Sequence, residues 1–306
     1  MNKILVVGSV NIDLVIKTER IPSLGETVSG SGFSTICGGK GANQAVAIAK
    51  SGGDVTMLAC VGDDVYGKMA ISNLNRAGVC PAVKVCDNAP TGVAVITVCG
   101  GDNHIILDAG ANGLVTKEMI AANEALFQAA DIVVLQLEIP MEAVETAARL
   151  AKKHGCTVVL NPAPFQPLSR ELILNVDLFV PNEFEASQVV GFEISGKEQV
   201  KKAICALEEM GIKQPVITLG AQGSAFRYGG EVVFQPAFRV TAVDTTAAGD
   251  TFIGGICACL CRGLTLKESV RYASAASAIA VSRFGASVSV PSKEEVLTFL
   301  SLPNCE

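Results

Sequence analysis

The chain has 306 residues, 49% of them hydrophobic and 18% charged, with a formal net charge of −6. That composition excludes a disordered chain, and the acidic balance argues against nucleic acid or an anionic membrane as the main partner. No segment reaches the roughly 18 apolar residues of a membrane span, and the apolar run before Asp13 is too short for a signal peptide. The 11 cysteines form no C-x-x-C pair, and with two histidines in the chain the composition argues against zinc. Small buried thiols in a reducing cytoplasm are the expectation.

In chain order, "KILVVGSV" is a short apolar run of the buried-strand kind. The stretch that follows, Asp13 to Gly39, has no helical period. "GGKGANQAVAIAKSGG" then opens a helix after a glycine turn, with a helical pattern over Gly41–Ser51. It is not a P-loop, because Ser34 and Gly41 stand where that motif needs Gly and Ser or Thr, and Gln44 breaks the dinucleotide fingerprint. The turn alone reads equally as a tight loop or as a ligand site; Asn43, one turn into an apolar helix, reads as a local cap or as a hydroxyl binder. "DVTMLACVG" is the next strand and Tyr66–Ala77 the next helix. "TGVAVITVCGGDNHIILDAG" reads as a β-hairpin around Gly100–Gly101.

Beyond it, "DIVVLQLE", "CTVVLNPAP", "DLFVPN" and "QPVITLG" alternate with helical patterns over Met141–His154 and Lys197–Met210. The alternation predicts an α/β fold: a Rossmann-like, doubly wound, mostly parallel sheet with helices on both faces. Ligands of such sheets bind at the carboxyl ends of the strands, where Asn11, Asp13, Glu138 and Asn182 fall. Residues 1–306 are expected to form one domain, with a small β-sheet from about 14–37 and 92–108 standing on it. That sheet reads as a flap over a cleft, a dimer interface, or both, since an exposed apolar face needs covering.

In "PNEFEA", Asn182 and Glu185 lie one helical turn apart. They fit an N-cap with its capping-box acid, and equally a pair ordering water around Mg²⁺. "DTTAAGDTFIGG" places Gly249 and the small Ala247 and Ala248 at the start of a helix, where open N–H groups and the positive dipole end favour an anion. Asp250 there is either a helix-stabilising acid or a base taking a proton from an attacking hydroxyl beside a phosphate.

These pieces, in this order, resemble the ribokinase family of carbohydrate kinases, also called the PfkB family, over nearly the whole chain. The glycine signature is similar to "GGKGANQA" with Gly52 and Gly62 behind it; the second signature is similar to "DTTAAGDTF". "GSVNIDL", "TGVAVI", "AGAN" and "AVSRFGA" resemble the ribose-specific branch. The resemblance implies ATP-dependent phosphorylation of ribose at O5, under a β-sheet lid that also clasps two subunits. It implies Asp250 as general base and the backbone of Ala247, Ala248 and Gly249 as anion hole. Asn11, Ile12, Asp13, Gly39, Lys40, Gly41, Ala42, Asn43 and Glu138 would hold the sugar, and Asn182 and Glu185 would serve Mg²⁺ and phosphate. Thr218, Leu219, Gly220, Ala221, Gln222 and Gly223 would approach ATP. Asp244, Thr246, Ala280, Arg283, Gly285 and Ser289 would surround an activating K⁺; from its own stretch, Asp244 reads equally as a turn cap. Relatives commonly carry Gly where this chain has Ala247. Alternatives are a sister kinase acting on deoxyribose or a nucleoside, with Phe33 and Ile36 as weak base-pocket candidates, and a non-catalytic sugar sensor.

Overall fold

The computed structural model describes residues 3–100 and 102–302. Strand β1 (Lys3–Val7) leads into β2 (Asn11–Thr18) and β3 (Gly30–Gly38), followed by α1 (Lys40–Lys50), β4 (Asp54–Gly62), α2 (Val65–Arg76) and β5 (Cys80–Cys86). Next come β6 (Gly92–Cys99), β7 (Asp102–Asp108), a 3-10 turn at Gly110–Leu114, α3 (Lys117–Ala122), α4 (Glu124–Gln128) and β8 (Ile132–Leu135). Then follow α5 (Met141–Lys153), β9 (Thr157–Leu160), α6 (Arg170–Asn175), β10 (Leu178–Phe179), α7 (Glu183–Val190), α8 (Lys197–Glu209) and β11 (Gln214–Thr218). A 3-10 turn at Gly220–Gln222, β12 (Ser224–Tyr228), β13 (Glu231–Gln235), α9 (Ala248–Cys261), α10 (Leu266–Val281) and α11 (Lys293–Leu300) complete the chain.

The large sheet runs β13-β12-β11-β10-β9-β8-β1-β4-β5. Its pairs from β11 to β5 are parallel; β12 and β13 are antiparallel additions. In β1 the side chains alternate between two buried faces: Leu5 and Val7 join the core under α5 and α8, Ile4 and Val6 the core under α1 and α9. A strand apolar at every position is what a sheet covered on both sides requires. From β1 the chain winds outward to β4 and β5 on one side and returns to β8 on the other. The strand order therefore reverses between β1 and β8, the place where open α/β sheets bind ligands.

The second sheet, β3-β2-β6-β7, is discontinuous in sequence and begins at Asn11 and Gly92. β2 pairs antiparallel with β3 and parallel with β6, and β6 with β7 makes the hairpin, of which Gly101 lies outside the described residues. Phe33, Val95, Ile105, Ile106 and Leu107 of this sheet are exposed. None of the ten described cysteines forms a disulfide; seven are buried, but Cys80 and Cys205 are exposed, so the expectation of buried thiols fails at those two. No helix among the described residues is long and apolar enough to cross a membrane.

Candidate active site

The switch point gathers three carboxyl groups and one ammonium. Asp13 lies on β2, Glu138 just beyond β8, Asp250 in the first turn of α9 and Lys40 at the start of α1. The chain reaches this geometry through glycines that packing demands. A Cβ on Gly41 would lie 2.6 Å from the Ser9 nitrogen, so only glycine lets α1 start against the β1–β2 loop. Gly39 has φ +89 and passes equally close to Asn11. A Cβ on Gly38 would strike the Asp13 carboxyl.

Glu138 is held from one side. Its Oε2 accepts from the Ser9 hydroxyl at 2.5 Å, the Lys40 N–H at 3.1 Å and, weakly, the Asn11 side chain at 3.5 Å. Asn11 is itself fixed by Asn112, whose Nδ2 donates to Asn11 Oδ1 at 2.7 Å. Asp250 is buried and accepts one N–H on each oxygen, from Asn43 Nδ2 at 3.1 Å and Gln44 Nε2 at 2.9 Å. These donors fix both carboxylate oxygens in place.

Three acceptors are left open here. Asp13 accepts no hydrogen bond from the described residues, nor does Glu138 Oε1, and the buried Asn43 Oδ1 has no partner. Burial, then the charges of Glu138 and Asp250, push the Asp13 carboxyl up to about 7. Burial alone would pull the Lys40 ammonium down, but Asp250, Glu138 and Glu185 outweigh it and raise it. Lys40 is thus the counter-ion of a carboxylate-rich pocket. Such a pocket, with several unpartnered acceptors around one ammonium, suits a ligand with several hydroxyl groups.

At α9 the loop turns on Ala247, at φ 58 the one non-glycine residue with positive φ among those described. The Ala248 N–H goes to Thr245 O at 3.2 Å, which removes one amide of the expected anion hole. The N–H groups of Gly249 and Asp250 have no acceptor among the described residues. A Cβ on Gly249 would meet nothing within 4 Å and its φ is not positive, so neither packing nor backbone requires glycine there. Space kept clear in front of open helix-terminal amides fits an anion.

Beside them lies a cleft of about 470 Å³. Thr218, Gly220, Ala221 and Gly223 line one side, residues 237–240 with Ala242 another, and Ser274, Ser277, Ala278 and Val281 of α10 a third. Leu219 and Gln222 do not line it, and Leu219 packs in the core. Ile12 and Ala42 likewise point into the core, so they offer a ligand only backbone. The α10 wall escaped sequence reasoning, although the small residues of "YASAASAIAV" were a signal for a helix face kept bare. Ser9, Gln44, Asn112, Gln136 and Asn161 were missed too; in sequence they lie far apart and no shared spacing links them. A wider hollow of about 560 Å³ between Glu183 and Ile194 is open to solvent and holds none of the open acceptors.

Asn182 and Glu185 form the full capping box of α7: Asn182 N–H donates to Glu185 Oε2 at 2.9 Å, and Glu185 N–H to Asn182 Oδ1 at 2.7 Å. The structural reading of the pair is therefore realised, and it does not exclude the other. Glu185 is buried, and burial raises its carboxyl against the pull of the Asn182 N–H and Lys40. Asp244 joins two loops, accepting from Thr246 N–H at 2.9 Å and Gly285 N–H at 3.0 Å. Burial acts to raise its carboxyl, but these bonds and the Thr246 side chain hold it below the usual range. The Arg283 guanidinium is engaged by Glu295, and the Ser289 hydroxyl donates to Ala286 O.

The model of the pfkB family carbohydrate kinases matches residues 1–293. The chain belongs to that family. It is 45% identical to a ribokinase of Schizosaccharomyces pombe, over 97% of each chain, and 36% identical to a deoxyribokinase of Salmonella typhi, over 98% of this chain and 99% of that one. Among solved structures, Arabidopsis thaliana ribokinase complexed with ribose and ATP superposes with a TM-score of 0.93 at 35% identity, covering 98% of this chain and 99% of that one. The family match spans both sheets and every residue of the carboxylate cluster.

Proposed function

We propose that this protein transfers the γ-phosphoryl group of ATP to O5 of D-ribose, giving ribose 5-phosphate and ADP. The observation that carries the reading is the set of unpartnered acceptors on Asp13, Glu138 and Asn43, gathered with Asp250 beside the unpaired amides of Gly249 and Asp250. Ribose hydroxyls donate to the first three, which leaves O5 to Asp250. Asp250 takes the O5 proton as the oxygen attacks, and the α9 amides with Lys40 balance the charge on the transferred group. The 470 Å³ cleft, walled by small residues, receives the nucleotide. The fit to Mg²⁺ rests on Glu185, buried beside Lys40 and Asp250; Asn182 and Glu185 would hold the ion's waters, and the ion would neutralise phosphate charge.

A monovalent cation, K⁺ by the resemblance, is proposed between the loops that Asp244 joins, held by Asp244, Thr246, Ala280, Arg283, Gly285 and Ser289, mostly through carbonyl oxygens. The small sheet acts as a lid, since its strand β2 carries Asp13 into the pocket. Its exposed Val95, Ile105 and Ile106 favour a homodimer formed through it. A cytoplasmic location accords with described cysteines that form no disulfide.

The nucleoside alternative loses support because Phe33, its aromatic candidate, is 65% exposed. The sensor alternative loses support because Asp250 keeps its full set of donors. An ADP-release assay across ribose, 2-deoxyribose, fructose and adenosine tests the reading. Ribose is expected to give the highest kcat/KM; a preference for 2-deoxyribose or adenosine would replace it with a sister activity.

A further inference from the structure

Behind Asp250 lies a chain of buried amides with no contact to the open cleft. Gln44 on α1, Gln136 after β8 and Asn161 after β9 are 0%, 0% and 7% exposed. Gln136 Nε2 donates to Gln44 Oε1 at 2.7 Å. Gln44 Nε2 donates both hydrogens, to Asp250 Oδ1 at 2.9 Å and to Asn161 Oδ1 at 3.2 Å. Asn161 Nδ2 donates to the backbone oxygen of Val180 at 3.1 Å. The direction of the chain is forced. Turned over, the Gln44 amide would set its oxygen against the Asp250 carboxylate and the Asn161 oxygen while its nitrogen faced the Gln136 donor. The backbone makes room for this arrangement: a Cβ on Gly8 would fall 2.0 Å from Gln136 Oε1.

Buried amides have large desolvation costs unless bonded, and aliphatic side chains would fill such sites more readily. Gln136 Oε1 goes without a partner, so the arrangement is not the best the core allows for stability. What it secures is the position of one carboxylate oxygen.

We infer that Gln44 is a positioning residue for phosphoryl transfer: with Gln136 and Asn161 fixing its amide, it locks the Asp250 carboxyl in one rotamer, so that the base presents a free lone pair to the sugar. The inference rests on the reading of Asp250 as general base. Asn43 holds the other oxygen, but it is itself a sugar-binding candidate with a buried, unpartnered Oδ1, whereas Gln44 uses both its Nε2 hydrogens and its Oε1 within the buried amide chain. The charged groups facing Asp250 are Lys40 of α1, Asp13 of β2 and Glu185 of α7. None of them is altered by changing Gln44.

The test is the pH dependence of kcat for Gln44→Met and Gln136→Met, with calorimetric ribose binding and thermal unfolding of the same samples. Losing a hydrogen bond to a charged group is expected to lower kcat by about 10- to 100-fold in Gln44→Met, with ribose affinity within about threefold of wild type. The acid limb moves to higher pH, because the carboxyl has lost a donor that its charged form accepts. Gln136→Met, which only frees the Gln44 amide to turn, moves both in the same direction by less. A Gln44→Met enzyme with wild-type kcat overturns the inference. So does one that loses kcat and melting temperature together while its acid limb stays in place. If Gln44→Met does not fold, an unmoved acid limb in Gln136→Met is the overturning result. Asp250→Asn separates this failure from that of the underlying reading: it loses turnover if Asp250 is the base, whatever Gln44 does.

Discussion

Gly249→Ala separates binding from stability because the two effects have opposite signs. The added methyl meets no protein atom within 4 Å, and Gly249 has a φ open to any residue. Gly to Ala inside a helix stabilises by about 0.8–1.0 kcal/mol; in the first turn of α9 a gain of about 0.5 kcal/mol is reasonable. For a domain of this size that raises the melting temperature by about 1–2 °C. The same methyl stands in the space in front of the Gly249 and Asp250 amides. Displacing a phosphoryl oxygen from one such donor costs about 10²- to 10³-fold in kcat. The variant is therefore expected to unfold no earlier than wild type and to turn over at least about 100-fold more slowly. Paired thermal melts and steady-state kinetics on the same preparation decide it. Turnover within threefold of wild type would refute the anion site, and a melting temperature several degrees lower would refute the claim that packing leaves this glycine free.

The neighbouring Ala247→Gly relieves an αL alanine worth about 1–2 kcal/mol and loses about 0.5–1 kcal/mol to the freer unfolded chain, so its melting temperature should equal or slightly exceed wild type; a clear drop would mean the turn is not strained. Gly41→Ala drives a methyl into the Gly8–Ser9 backbone, and should destabilise by about 2 kcal/mol or more and weaken ribose binding, as denaturation and calorimetry would report. Asp13, with its carboxyl raised to about 7, binds its proton more tightly folded than unfolded. Its contribution is therefore present below about pH 4 and is lost as pH rises to about 7, at up to about 1.4 kcal/mol per pH unit. Asp13→Asn should flatten that decline in the ligand-free protein, and an unchanged stability–pH slope would contradict the burial. Raising K⁺ at constant ionic strength should increase the rate of wild type and not of Asp244→Ala; a flat wild-type response would remove the proposed cation.

The fold was legible because its strands are apolar at every position, as in Ile4–Val7, a pattern that only a sheet covered on both faces supports. The second sheet was legible as a break in that alternation. Asp250 and Gly249 stood out because an acid and a glycine at a helix start are cheap to read and hard to explain by packing. The amides behind Asp250 were not legible: Gln44, Gln136 and Asn161 lie in or just after three different elements far apart in the sequence, and only the fold brings them together. Residues 237–240 and Ala242 of the cleft have no period for a sequence to show. The Asn182–Glu185 pair shows the opposite limit, since one motif serves equally for a helix cap and for a ligand, and the observed cap leaves the second use open.

The central claim is that Asp250 is the base for an attacking sugar hydroxyl, and the most direct measurement is kcat of Asp250→Asn at saturating ribose and ATP, with ribose binding measured by calorimetry on the same protein. Retained fold and ribose affinity are expected, with kcat lower by about 10² or more. Turnover near wild type in a variant that still binds ribose would contradict it.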